Sequence, residues 1–141
     1  MMNILILQGP NLNLLGYKSH QSNAKLTLDK LNKETRRFSK KNDLNIKVYQ
    51  THKQFLAINI LQRNRNWADG ILLIPTSWAR NNFTILETIN LINIQTAAIY
   101  FDGDYSFGTE KKDSILKSDV ITEFTGKPID VCIEGLKYLI D

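Results

Sequence analysis

Ile4-Leu5-Ile6-Leu7-Gln8-Gly9-Pro10-Asn11-Leu12-Asn13-Leu14-Leu15-Gly16 opens the chain with an unbroken apolar run and then stops it with a glycine and a proline. Four consecutive Ile and Leu residues bounded by turn residues predict a strand buried on both faces. Gly9 and Gly16 bracket the segment that follows, and Asn11 and Asn13 supply amide donors and acceptors. A backbone can use such groups to fold around a small oxygenated ligand at a strand tip. On spacing alone a plain strand-to-loop turn explains the stretch as well, because neither a Gly-x-Gly-x-x-Gly nor a phosphate-loop pattern is present.

Working outward, short runs rich in Ile and Val recur at Ile46 to Tyr49, Ile71 to Ile74, Ala97 to Phe101 and Val120 to Phe124. Helical spacing fills the intervals. Leu28, Leu31 and Phe38 share a face after Thr27, a suitable N-cap, and Asn42-Asp43 closes that helix. Phe55, Ile58 and Leu61 mark the next, and Phe83, Leu86, Ile89 and Leu91 a third. Ile129, Cys132, Ile133, Leu136 and Ile140 mark the last, with Pro128 near its first turn. Strands alternating with helices predict an α/β fold, a doubly wound five-stranded parallel sheet covered by helices on both faces. Ligands of such sheets bind outside the carboxyl ends of the strands. The loops of interest are therefore 9 to 26, 51 to 54, 75 to 82 and 102 to 113.

The 141 residues suit one domain, 1–141, with a single core. The formal net charge is +4, and its densest cluster, Arg36, Arg37, Lys40 and Lys41, falls on one helix. Only Phe38 interleaves it, at a position the helix would bury, so a solvated face accounts for the cluster better than nucleic acid does. Cys132 is the lone cysteine, which excludes an internal disulfide and reads as a small buried thiol. The first residues lack the regions of a signal peptide and no apolar run approaches membrane-spanning length. A soluble, cytoplasmic protein with no membrane partner is expected.

As a string, Gly9-Pro10-Asn11-Leu12-Asn13-Leu14-Leu15-Gly16 resembles the opening motif of the type II 3-dehydroquinate dehydratases. The similarity continues through Asp69-Gly70-Ile71-Leu72-Leu73-Ile74-Pro75, and through Gly126 and Gly135. That resemblance implies a flavodoxin-like fold, no cofactor and no metal, and trimers that pair further into dodecamers. It also implies a reaction in which a tyrosine base, lowered in pKa by an arginine, removes a proton beside a ketone, and a histidine acid protonates the departing hydroxyl.

Carried over by position, the resemblance keeps few of the reacting groups. The asparagine near the enolate is Asn11. The loop arginine falls on Lys18 and the base tyrosine on Asn23, which cannot abstract a proton. The asparagine after strand three falls on Ile74, that loop's glycine on Thr76 and the substrate-binding histidine on Arg80. The acid falls on Tyr100, the carboxylate-holding serine on Asp102 and a later substrate arginine on Lys111. An aspartate supplied by a neighbouring subunit falls on Glu87. Lys18, Lys111 and Glu87 keep their predecessors' charge, although lysine cannot reproduce an arginine fork. Asp102 places a negative charge where the family meets a carboxylate, and two such charges about 4 Å apart repel by roughly 4 kcal/mol near a surface.

Tyr17, His20 and Tyr105 are the loop residues able in principle to substitute as base, although an exposed loop Tyr or His is more often only a loop residue. His52 reads as a polar loop residue. Two histidines far apart with no cysteine or carboxylate at ligand spacing argue against a metal site, and Asp102-Gly103-Asp104 lacks the rest of a calcium loop. Trp78 beside Arg80 suits either a lid stacking on a flat ligand or a subunit contact. A further expectation is an Arg80–Asp102 ion pair across the pocket. Three functional readings follow: a small-molecule pocket that has changed its ligand or reaction, a genuine dehydratase with relocated groups, and a non-catalytic assembly or regulatory protein.

Overall fold

The computed structural model describes residues 1–20 and 25–141. Five parallel strands, β1 (Met2–Gln8), β2 (Leu44–Gln50), β3 (Gly70–Ile74), β4 (Thr96–Phe101) and β5 (Ile121–Gly126), form one sheet in the order β2-β1-β3-β4-β5. All residues of β3 and β4 are buried, as expected of central strands covered on both faces, whereas β2, at one edge, alternates half-buried and exposed. The expected doubly wound sheet is what the chain forms, and its strand order reverses between β1 and β3.

Among the described residues six α-helices connect and cover it: α1 (Leu15–Ser19), α2 (Leu28–Lys41), α3 (Gln54–Arg63), α4 (Trp78–Asn81), α5 (Phe83–Ile92) and α6 (Pro128–Ile140). Leu5, Leu7, Ile71, Leu73, Ala98 and Tyr100 face α3 and α5. Ile4, Ile6, Leu72, Ile74, Ala97 and Ile99 face the opposite layer, built from α2 and α6. The alternation along each strand thus feeds two cores at once, each fully buried Leu or Ile contributing about 1.5–3 kcal/mol.

Local chemistry places the helix ends. Thr27 caps α2 by accepting from the Lys30 N–H (3.2 Å), Asp29 lies in the first turn, and Lys40 and Lys41 lie in the last, matching the helix dipole. Asn82 caps α5 through Ile85 N–H (3.2 Å), and Asn93 ends it in the left-handed conformation (φ 56°). Pro128 occupies the first turn of α6. The Arg36 to Lys41 cluster lies on α2, with Arg37 paired to Glu34 (3.1 Å) and Phe38 packed against the core.

Several expected core positions are displaced. Leu61 and Ile89 are buried as expected, but Phe55, Phe83 and Leu91 are 65 %, 65 % and 78 % exposed, and Ala57, Ile60 and Ile85 complete the buried faces of α3 and α5. Gly16 lies inside α1 rather than ending a turn. Cys132 is buried, and burial pushes its thiol up to about 12, which removes it from nucleophilic chemistry. Among the described residues no helix is long and apolar enough to cross a membrane.

Candidate functional site

The tips of β1, β2 and β3 are tied together by backbone. Gly9 N–H donates to Ile74 O (2.8 Å), and the Gln50 side-chain amide donates to Gly9 O (3.1 Å). Thr76 Oγ1 donates to Pro10 O (2.8 Å). Asn11, in the left-handed region at φ 68°, gives its backbone N–H to His52 Nδ1 (3.1 Å), so that ring nitrogen is the unprotonated one. Thr76 also has positive φ, 47°, an uncommon conformation for a β-branched residue. It stands where the resemblance places glycine and keeps a glycine-like backbone. Gly108 (φ 79°) lies so close over it that a Cβ there would meet the Thr76 carbonyl carbon at 2.7 Å. Loop 102–113 is therefore closed down upon the tip of β3. Two left-handed non-glycine residues side by side mark a strained junction of the kind found at ligand sites.

Beyond it, the tip of β4 lines a cleft of about 700 Å3 whose walls include Tyr100, Asp102, Lys111, Lys112, Lys117 and Thr125. Its floor is a buried polar cluster. Tyr100 OH donates to Ser114 Oγ (2.6 Å), which also accepts from Leu116 N–H (3.0 Å). Burial pushes the Tyr100 phenol well above the ordinary tyrosine range; the Ser114 bond pulls the other way and the Glu123 carboxylate adds to the rise. Lys117 pairs with Glu123 Oε1 and also donates to Lys111 O (3.2 Å). The Glu123 side chain is only 9 % exposed and its Oε2 has no hydrogen-bond partner. Glu123, Lys117, Ser114 and His52 carry no sequence signal of a site; β5 and the turn closed by the Ser118–Ile121 bridge before it bring the first three together only in the fold.

A second cleft, about 600 Å3, opens beside α1 and the start of α2, with Asn13, Tyr17, His20, Lys25 and Asp29 among its lining. His20 Nδ1–H donates to Tyr17 O (2.6 Å), and the Tyr17 ring is 77 % exposed. Lys18 is exposed on α1, and Asn23 lies outside the described residues.

The sequence-derived candidates thus separate. Tyr100, Asp102 and Lys111 share the β4 cleft, Asn11 and Thr76 share the β1–β3 junction, and Tyr17 and His20 share the α1 cleft. Arg80 on α4 and Glu87 on α5 are exposed. One expectation fails, and so does one of the two readings of Trp78. Among the described residues no ion pair joins Arg80 to Asp102, because Arg80 projects from a separate short helix whose backbone is braced to Ile115 N–H through Ala79 O (2.8 Å). Trp78 is no lid: it is 6 % exposed and packed into the core beneath α4. Among the described residues no group of three or more His, Cys, Asp or Glu side chains could hold a metal ion.

A parallel sheet of order 2-1-3-4-5 with a cleft at its carboxyl edge defines a flavodoxin-like α/β domain. The chain belongs to the class II dehydroquinase family, whose model matches residues 2–140. It is 25 % identical over 141 residues to the 3-dehydroquinate dehydratase of Trichodesmium erythraeum, covering all of this chain and 94 % of that one. With the enzyme of the same name from Caldanaerobacter subterraneus it shares 23 % over 144 residues, covering 100 % and 97 %. Crystal structures of type II dehydroquinases from Butyrivibrio crossotus and Propionibacterium acnes superpose with TM-scores of 0.85 and 0.82 at 19 % and 18 % identity, each covering 99 % of this chain and 98 % of the other; they show the shared fold.

Proposed function

We propose that this chain keeps the family's fold and a small-molecule pocket at the strand tips but binds, or acts on, a ligand other than 3-dehydroquinate. The observation that carries the reading is Tyr100. It stands at the acid's position, yet its hydroxyl is engaged with Ser114 and its pKa is raised, so near neutral pH it is a far weaker acid than an imidazolium. Asp102 supports the same reading, because an exposed carboxylate on the β4 cleft opposes the substrate's own. Asn23 offers no base. Lys18, Arg80, Glu87 and Asn11 then serve as ligand or subunit contacts rather than as proton carriers. The chemistry proposed needs no cofactor and no metal.

Incubation with 3-dehydroquinate, followed by the ultraviolet absorbance of the conjugated enone product, tests this directly. No appreciable dehydration is expected, and Asn23→Tyr alone does not restore it because the acid and carboxylate contacts remain altered. Turnover on the order of 1 per second or faster would overturn the reading. It would favour instead a genuine dehydratase with relocated groups, for which Tyr17 and His20 in the α1 cleft are the candidates. Loss of that turnover in Tyr17→Phe or His20→Gln would identify the substitute. An assembly or regulatory role without catalysis remains the third reading, and it separates from the first by an absence of small-ligand binding at the β4 cleft.

A further inference from the structure

We propose that the β4 cleft takes a small zwitterion, an amino-acid-like molecule bearing both an ammonium and a carboxylate, with Asp102 receiving the first and Lys111 the second. The inference rests on the reading above that this pocket has changed its ligand, and it names the ligand's charge pattern.

The charges lining the cleft or forming its floor sort themselves by pairing. Lys112 pairs with Glu110 (3.5 Å), and Lys117 pairs with the buried Glu123. Each of those pairs carries no net charge. Asp102 and Lys111 remain. Both are exposed, and neither has an ion-pair partner within 4.0 Å among the described residues, so they do not neutralise one another. One open anion and one open cation lining the same cleft define the complement of a zwitterion. A ligand of a single sign satisfies one of them and is repelled by the other.

The backbones carrying the two charges are held before any ligand arrives. Asp102 N–H donates to Gly126 O (3.0 Å) at the end of β5, and Asp102 O accepts from Tyr105 N–H (3.2 Å). Lys111 O accepts from Lys117 Nζ (3.2 Å), and Lys117 is anchored in turn on Glu123 of β5. Both carriers are thus referred to the same strand, which reduces the ordering cost of binding. Tyr100, whose hydroxyl is engaged with Ser114, is an uncharged part of the same lining and does not compete for either end of the ligand. A cleft of about 700 Å3 admits a small molecule with room for water.

The test is an amide-resonance titration of the full chain with glycine and 4-aminobutyrate as zwitterions of two lengths, and with butyrate and butylamine as single-charge controls. At least one zwitterion is expected to shift resonances of residues 101 to 112 at millimolar concentration, binding about tenfold more tightly than either control. Asp102→Asn should weaken the zwitterion about tenfold while leaving or improving butyrate, and Lys111→Gln should weaken the zwitterion while leaving butylamine unchanged. Both positions are exposed, and matching thermal melts establish that each variant is folded. Butyrate binding as tightly as either zwitterion, an absence of shifts with every probe, or unchanged zwitterion affinity in both folded variants would each overturn the proposal. Dehydration of 3-dehydroquinate by the same preparation would instead defeat the reading on which it rests, so the two failures are told apart.

Discussion

Gly9 lies with its Cα against the carbonyl of Pro75, and a Cβ built there would stand 2.4 Å from that oxygen. The tips of β1 and β3 close on each other only because no side chain intervenes. Gly9→Ala should therefore destabilise the protein by roughly 1–3 kcal/mol, the usual cost of overpacking, read as a lower urea midpoint at unchanged slope. A midpoint equal to that of the parent would mean that the tips relax freely and that the junction is not rigid. At this scale the sequence was partly legible. The Gly-Pro-Asn turn announced a close approach at the strand tip, but His52 as the acceptor of the Asn11 N–H could not be read from a residue 41 positions away. Nor could the partnering of Tyr100 with Ser114, since hydroxyl pairs have no sequence periodicity.

At the scale of the element, caps were more legible than faces. Thr27 was identifiable as an N-cap because its side chain acts within one turn of its own backbone, on Lys30 N–H. Thr27→Ala should cost about 1 kcal/mol, measured by chemical denaturation, and Thr27→Ser should retain most of it; an unchanged stability in the alanine variant would show that α2 is fixed by packing alone. The faces of α3 and α5 were read correctly at Leu61 and Ile89 but not at Phe55, Phe83 and Leu91, because apolar spacing records which residues prefer burial, and these three take exposed positions. On α2 the buried stripe includes Thr35 and Ser39, whose hydroxyls return to the Leu31 and Thr35 carbonyls at 2.9 and 2.8 Å. A polar residue satisfied by its own helix is invisible to a hydrophobic pattern.

For the whole molecule, the unburied aromatics acquire a direction. α3 and α5 pack beside each other on one face of the sheet, and Phe55 and Phe83 project from their first turns, 65 % exposed. Such a surface is expected to be covered by further copies of this chain, and the trimer-based dodecamer implied by the family resemblance is a specific form of that expectation. Light scattering should give a mass several times 16.2 kDa, and Phe55→Asp combined with Phe83→Asp should lower it without loss of helical circular dichroism. A single 16.2 kDa species at micromolar concentrations would contradict the assembly. Glu87, exposed on the same α5, would then lose its role as a contact to a neighbour's site.

By itself the sequence determined the alternation of strands and helices, the strand positions to within one or two residues, the Thr27 cap of α2 and the loops that gather at the carboxyl edge. Each of these depends on residues close together in the chain: a run of β-branched side chains, a hydroxyl three residues before an amide, a glycine beside a proline. Only the tertiary structure decided which charges meet. Arg80 and Asp102, expected to pair, form no ion pair among the described residues, Arg80 sitting on α4, which is braced to Ile115, whereas Lys117 and Glu123 pair because β5 and the turn before it fold back on each other. Coulomb energy depends on distance and burial, and both are set by how the elements pack rather than by the order in which residues follow one another.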